Sequence, residues 1–384
     1  MGEIRRVKML LIPSKEQELE FKQYVYYFRK AYNLGLEFSN YNYDIYDRHL
    51  TYNELSRMLT KYKHDNLDFY EIDSHTLKQA MRNVATAFKN YFSNKSSYPK
   101  FKGYKTARKS FYTRQDKLSV TSKSVKLSSL GTVKAKSCHW LLDSLLSDGN
   151  TRGTFKTYNP YIYYDNKHWF LSFGVDVSLS KEELTDIELG LDLGIVSTIT
   201  TSEGKHYVNI NRGKKIRKLQ NRLKRYQRKL AKKYIKNVNK TKNIIKLENK
   251  IRLLYRKITN VQENHIHSIL NDITDNLPNK IVIEDLDVKQ LLRNKHLAKS
   301  IQEQKFYRLR QLLIEKCKNN FILIYKVPRY FASSKQCSKC KTINKQLKQS
   351  DRIFVCNVCN LKIDRDENAA INLRDCNHLE LITS

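Results

Sequence analysis

The sequence predicts an α+β protein of more than one domain. Three observations carry that prediction: an aromatic-rich, helix-patterned block gives way to short alternating runs, two apolar strands carry carboxylates at their ends, and two CxxC pairs stand close together near the C-terminus. At 384 residues the chain has room for two or three domains of about 100 to 200 residues each. Apolar residues make up 40% of it, enough for real cores. The apolar run at residues 321–325 fits one buried strand, and nothing approaches the roughly 18 apolar residues of a membrane span, so no membrane partner is expected. Arg5, Arg6 and Lys8 precede an apolar stretch that stops at Pro13, too short for a secretion signal. A reducing, intracellular compartment is therefore expected.

Residues 3–12 alternate weakly and read as a strand. Ser14 and Gln17 then form a capping box, and helices fill residues 14–92. Phe21, Tyr24, Tyr27, Phe28 and Tyr32 recur there at helical spacing beside Lys22, Arg29 and Lys30. Such a face can stack on bases, but the period itself predicts core. From Ser96 the texture changes to Ser, Lys and short alternating runs at residues 125–127, 161–164 and 169–173, which predict a small β-barrel. If the first strand pairs with it, the barrel comprises residues 1–13 and 93–180, and the helical block 14–92 is an insertion. Residues 181–186, short and largely acidic, read as a linker.

Lys and Arg number 72 against 38 Asp and Glu, a net charge of +34. The excess is concentrated. Residues 212–257 hold 20 basic residues against the single acid Glu248, and residues 93–136 hold 12 against the single acid Asp116. An ordinary solvated helix interleaves Glu with Lys for support, whereas an uncompensated run repels itself unless phosphates neutralise it. Both segments therefore predict contact with nucleic acid. The first is also helical in period: Ile216, Leu219, Leu223, Tyr226 and Leu230, then Ile244, Leu247, Ile251, Leu254, Ile258 and Val261. With a turn at residues 237–241, this is a helical hairpin over 212–261 with an apolar seam and basic outer faces. A coiled-coil dimer arm is the plainer alternative.

Ile187-Glu-Leu-Gly-Leu-Asp-Leu-Gly194 alternates strictly, so Ile187, Leu189, Leu191 and Leu193 face a core, and Asp192 shares the other face with Gly190 and Gly194. Two missing side chains beside Asp192 would leave room for a metal ion and a phosphodiester. A second strand, Lys280-Ile-Val-Ile-Glu284, ends in an acid that costs several kcal/mol unless solvated or metal-bound. In Asp364-Arg-Asp-Glu-Asn-Ala-Ala-Ile-Asn-Leu373, a helix from about Asp366 buries Ala369, Ala370 and Leu373, with Asp366 in phase and Asp364 and Glu367 out of it. A strand Asp, a later strand Glu and an Asp on a late helix are the layout of an RNase H-like nuclease. Asp192, Glu284 and Asp366 would supply the hard oxygen ligands for two Mg2+ ions, which activate water and stabilise the leaving oxygen of a phosphodiester.

Cys337-Ser-Lys-Cys340 and Cys356-Asn-Val-Cys359 are separated by 15 residues, the spacing of a four-cysteine zinc ribbon. Four thiolates close the coordination sphere of one Zn2+, so this site is expected to be structural. Cys138, Cys317 and Cys376 have no partner at ligand spacing. The ribbon falls between Glu284 and Asp366, so its folding should help to place the last acid. His265-Ile-His267 has the spacing of a strand-transferase metal pair but lies in the helical pattern, where side chains two apart diverge.

Taken together, Ser97-Tyr-Pro-Lys-Phe-Lys102, Gly190-Leu-Asp-Leu-Gly194, Ile281-Val-Ile-Glu-Asp-Leu286, Arg329-Tyr-Phe-Ala-Ser-Ser-Lys-Gln-Cys-Ser-Lys-Cys340 and Asp364-Arg-Asp-Glu-Asn-Ala-Ala370 resemble the TnpB family, the transposon-encoded RNA-guided DNA nucleases related to type V CRISPR effectors. The resemblance spans nearly the whole chain. It implies a wedge-type barrel with an inserted helical recognition lobe, then a RuvC nuclease domain over 187–331 and 363–384, interrupted by a zinc ribbon at 332–362. It implies a RuvC triad of Asp192, Glu284 and Asp366, a guide RNA from the transposon end, and a double-stranded DNA target beside a short motif. A cytoplasmic, nucleoid-associated protein of a prokaryotic host follows. The alternative is a DNA-binding regulator that does not cut. The family often has glycine after each CxxC, where this chain has Lys341 and Asn360; Asn tolerates a left-handed backbone and Lys does so poorly.

Overall fold

The first strand, β1 (Glu3–Ile12), has antiparallel neighbours on both sides, which places the N-terminus in the middle of a sheet. This is seen in a computed structural model that describes residues 3–104, 107–137, 142, 156–177, 183–234, 239–295, 297–348 and 351–382. The chain forms two compact units, Met1–Leu179 and Ser180–Ser384.

In the first unit, Ser14 caps α1 (Lys15–Tyr46): the Gln17 N–H donates to its hydroxyl and its own N–H donates to the Gln17 side chain, both at 3.1 Å. Helices α2 (Tyr52–Asp65) and α3 (Ser74–Phe92) follow, so all three lie in the chain between β1 and the next strand. Phe21, Tyr24, Phe28 and Tyr32 are buried, as core spacing predicts. The Phe21 ring meets Phe111 and Trp169 at 5.7 and 5.1 Å between centroids.

Strands β2 (Ser110–Tyr112), β3 (Ser119–Val120), β4 (Ser124–Leu127), β5 (Gly131–Ser137), β6 (Thr157–Tyr164) and β7 (Trp169–Val177) complete a seven-stranded antiparallel sheet, ordered β2-β6-β7-β1-β5-β4-β3. The expected barrel is not closed: among the described residues, edge strands β2 and β3 pair with nothing beyond their inner neighbours. The sheet's apolar residues pack with those of α1 to α3 in one core instead, which makes it a half-barrel.

The second unit opens with β8 (Thr185–Leu193), β9 (Ser197–Thr201) and β10 (His206–Val208). Thr185 and Asp186, expected in the linker, already belong to the strand, and the Thr185 N–H donates to the Leu277 carbonyl at 2.8 Å. Two helices follow, α4 (Lys214–Lys233) and α5 (Lys242–Thr274). Leu219, Leu223, Tyr226 and Leu230 meet Leu247, Ile251, Leu254 and Ile258 along the expected seam. Thr241 caps α5, while residues 237 and 238 of the expected turn, like Cys138, lie outside the described residues.

The second helix does not stop near residue 261. The same period carries it to Thr274, and Ile266, Ile269, Leu270 and Ile273 pack on Leu189, Leu191, Ile281 and Ile283. One helix thus serves the basic arm and the core of the sheet. Strands β11 (Pro278–Ile283) and β12 (Leu323–Lys326) run parallel to β8, and between them come α6 (Val288–Leu291), α7 (Ala298–Gln304) and α8 (Phe306–Asn319). A hairpin of β13 (Ile353–Val355) and β14 (Lys362–Asp364) leads into α9 (Arg365–Arg374), and β15 (Glu380–Leu381) closes a sheet ordered β10-β9-β8-β11-β12-β15.

Gly190 explains how α9 sits. A Cβ there would run into the Ala370 carbonyl and come within 2.7 Å of the Arg374 nitrogen. The space beside Asp192 is therefore not open to a ligand at Gly190, as the sequence pattern suggested; the backbone of α9 fills it. At Gly194 a Cβ would lie 2.9 Å from the Ser197 carbonyl, so that gap too is taken by the chain itself.

Candidate active site and thiolate cluster

Parallel pairing sets Leu191 of β8 beside Ile283 of β11, so the next residue on each strand, Asp192 and Glu284, emerges at the same end of the sheet. Asp366 reaches that end from the first turn of α9. All three line one cavity of about 790 Å3. The strand-end location follows the rule that sites in such sheets lie beyond the carboxyl ends of parallel strands. Two neighbouring acids have other work. Asp364 caps α9, accepting from the Asp366 and Glu367 N–H groups at 2.9 and 3.1 Å. Asp285 is held by Arg310, Lys326 and Arg329 at 3.3 to 3.7 Å.

The electrostatics of the cavity are those of crowded carboxylates. Burial, then Glu284 and Asp366, raise the Asp192 carboxyl well above its usual range, with Arg365 opposing. Burial also raises Glu284, against a hydrogen bond from the Ser333 hydroxyl at 2.6 Å. Arg365 donates to Asp366 at 3.0 and 3.2 Å. Three carboxylates facing one cavity, two of them raised by burial and by neighbouring acids, are the hard-oxygen donor set that a divalent cation fits. Arg212, Lys335, Lys348 and Arg352 also line the cavity and supply positive charge at its walls.

Several participants carry no signal that the sequence reading used. Gln304 donates to the Gly194 and Ile195 carbonyls at 3.2 and 3.3 Å and fixes the loop after Asp192. Ser333, Asn368 and Asn372 link Glu284 and α9 to the first cysteine turn. Asn368 and Asn372 could have been noticed as amides four apart on the same helix that buries Ala369, Ala370 and Leu373.

The four cysteines Cys337, Cys340, Cys356 and Cys359 converge, their sulfurs all within 4.8 Å of one another. The Cys337–Cys359 and Cys340–Cys356 separations are 3.5 Å, close to the roughly 3.8 Å edge of a tetrahedron with zinc–sulfur bonds of about 2.3 Å. The cluster is thus compatible with zinc. Lys341 and Asn360 both adopt the left-handed backbone, at φ 61° and 54°. The glycine-like turn is kept in spite of the lysine, whose Nζ pairs with Asp375 at the end of α9 at 3.5 Å. His265 and His267 lie along α5 as expected, and His265 bonds to the Val208 carbonyl at 2.9 Å.

Residues 171–295 match the family described as a probable transposase, OrfB_IS605, and residues 306–373 match the Cas12f1-like TNB domain. Two relatives bear the name "Putative RNA-guided DNA endonuclease". One, from Streptomyces pristinaespiralis, is 29% identical over 377 residues, covering 97% of this chain and 89% of its own. The other, InsQ of Escherichia coli K12, is 24% identical over 399 residues, covering 99% and 94%. The chain is a TnpB-like protein. A Cas12f1 solved by cryo-EM with its sgRNA and target DNA shares the fold of the TnpB-like chain, with a TM-score of 0.58 at 16% identity over 94% of this chain and 83% of that one. No helix among the described residues of the TnpB-like chain is long and apolar enough to cross a membrane.

Proposed function

We propose that this chain is the RNA-guided DNA endonuclease of an insertion sequence, cutting DNA by metal-dependent phosphodiester hydrolysis at a single RuvC site. The observation that carries the reading is the meeting of Asp192, Glu284 and Asp366, from three separate elements, in one cavity. The order of the first five strands of the sheet and the position of α9 support an RNase H-like domain over 187–331 and 363–384, with 332–362 as its zinc ribbon. The half-barrel of residues 1–13 and 93–180 is then the wedge-type domain, and helices within 14–92 are the recognition lobe.

Asp192, Glu284 and Asp366 would hold two Mg2+ ions, and Cys337, Cys340, Cys356 and Cys359 one Zn2+. When bound, Mg2+ supplies Lewis-acid polarisation of the phosphate and an activated water. The chain's own part is to keep the acids together, to steer the strand's phosphates with Arg212, Lys335, Lys348 and Arg352, and to present an apolar wall of Leu291, Leu297, Ile301 and Phe306. The basic arm of α4 and α5 is suited to a guide RNA from the transposon end. Pairing of that RNA reads the target, and the protein reads a short adjacent motif, working at the nucleoid of a prokaryotic cytoplasm.

The test is cleavage of matched DNA in Mg2+ by protein that carries its co-purified RNA and by protein stripped of it. Only the RNA-bound form should cut. Equal cutting after RNA removal would refute guidance, and no cutting by either would favour a non-cutting regulator. A companion expectation separates the two acids of the motif. Asp364→Ala should cost about 1 kcal/mol of stability through the lost cap and keep much of the activity, whereas Asp366→Ala should abolish it; a calorimetric melt beside a cleavage assay reads both.

A further inference from the structure

We infer that Ser333 is a positioning residue for Glu284 and that Asn372 and Asn368 tie it to the thiolate cluster, so that cysteine geometry reaches the second carboxylate as well as α9. The inference rests on Glu284 being a metal ligand. Ser333 is 4% exposed, and its hydroxyl donates to Glu284 Oε1 at 2.6 Å. A glutamate at a strand end has free side-chain torsions, and this bond selects one setting. The peptide that carries Ser333 is itself held: its carbonyl accepts from Asn372 Nδ2 at 2.9 Å.

Asn372 gives its other N–H to the Gln336 carbonyl at 2.6 Å, and Asn368 donates to the same oxygen at 2.7 Å. Asn368 Oδ1 in turn accepts from the Ser338 N–H at 2.9 Å. The two amides therefore grip the chain on both sides of Cys337. Their orientation is decided by chemistry, because a flipped Asn372 would set its oxygen against two carbonyls. Both are fully buried, at 0 and 1% exposure, in a phase of α9 that apolar residues would fill at less desolvation cost. Displacing the cysteine turn would draw on Gln336 and Ser333 together, and through them on Glu284.

The experiment measures Mn2+ binding to the full chain by electron paramagnetic resonance, alongside zinc content, melting temperature and cleavage. Ser333→Ala should weaken Mn2+ binding roughly 10-fold, the effect of losing a bond that orients a metal ligand, with zinc and melting temperature unchanged. Ser333→Thr keeps the hydroxyl and should restore binding. Cys356→Ser should also weaken Mn2+ binding, and less so when Ser333 is already alanine, since coupled residues act non-additively. Wild-type Mn2+ affinity in Ser333→Ala overturns the positioning role. Losses that multiply independently in the double variant overturn the link to the cysteines. Absence of Mn2+ binding by the wild-type chain overturns the carboxylate assignment, and the inference with it.

Discussion

Asp192→Ala is expected to reduce DNA cleavage by about three orders of magnitude or more, a loss of about 4 kcal/mol of transition-state stabilisation, while guide and target binding persist. Two carboxylates carry too little negative charge to hold two divalent cations against a phosphate. The basic arm that should hold the RNA is on other elements, so binding does not depend on this side chain. A second signature distinguishes a site residue from a structural one. In metal-free protein, burial and two neighbouring acids raise the Asp192 carboxyl, so the folded state favours its protonated form. That contribution is fully present at low pH and is lost as pH rises through the raised value. Removing the acid removes the loss, and the metal-free variant should melt at or above the wild type, by a margin that widens with pH. Wild-type cleavage by Asp192→Ala would refute the RuvC assignment.

Gly190→Ala should be the most damaging single-methyl change in the second unit. The added carbon would clash with the Ala370 carbonyl oxygen and press on the Arg374 nitrogen, both of them helix backbone that cannot rotate away. Either α9 lifts off the sheet or β8 bends, at a cost of about 3 kcal/mol or more. Because α9 carries Asp366 and, through Asn368 and Asn372, the cysteine turn, cleavage and zinc retention should fall with the melting temperature. Gly131→Ala makes the contrast: its φ of +69° is left-handed, but its Cβ would meet nothing within 4 Å, so only the backbone penalty of about 1 kcal/mol applies. Equal melting temperatures for the two variants would contradict this account of how α9 docks.

The comparison between these glycines shows what the sequence can convey. The alternation from Ile187 onward told which face of β8 is core, and Leu189 and Leu191 are indeed buried. It could not tell what fills the face with no side chains, because a glycine that admits a ligand and one that admits a helix have the same pattern. Asp366, in phase with Ala369, Ala370 and Leu373, lines the cavity, and Asp364, out of phase, caps α9, since a helix period encodes direction. Helical spacing likewise identified Phe21, Tyr24, Phe28 and Tyr32 as core. Closure of the first sheet was not legible, because it turns on which strands pair across its edges, and alternation within a strand does not encode its neighbours. Nor were Ser333 and Gln304, whose bonds join segments far apart in the chain and leave no period behind; the four-residue spacing of Asn368 and Asn372 marks a helix face but not the cysteine turn they bind.

The length of α5 has a consequence for assembly. Its 33 residues run about 50 Å without a break, rooted at one end among Leu189, Leu191 and Ile283 and carrying at the other an apolar seam wrapped in like charges. The root is held by a core that needs no partner. The tip, with residues 212–257 at 20 cations to one acid, is in effect a folding unit that lacks its counter-ions, and mutual repulsion works against it until a polyanion arrives. Nucleic acid is then a component of the fold as much as its cargo, and the arm's stability follows mass action in the concentration of that polyanion. Protein made in excess of its RNA would have a firm sheet and a loosened arm, the state in which proteases find their first cut.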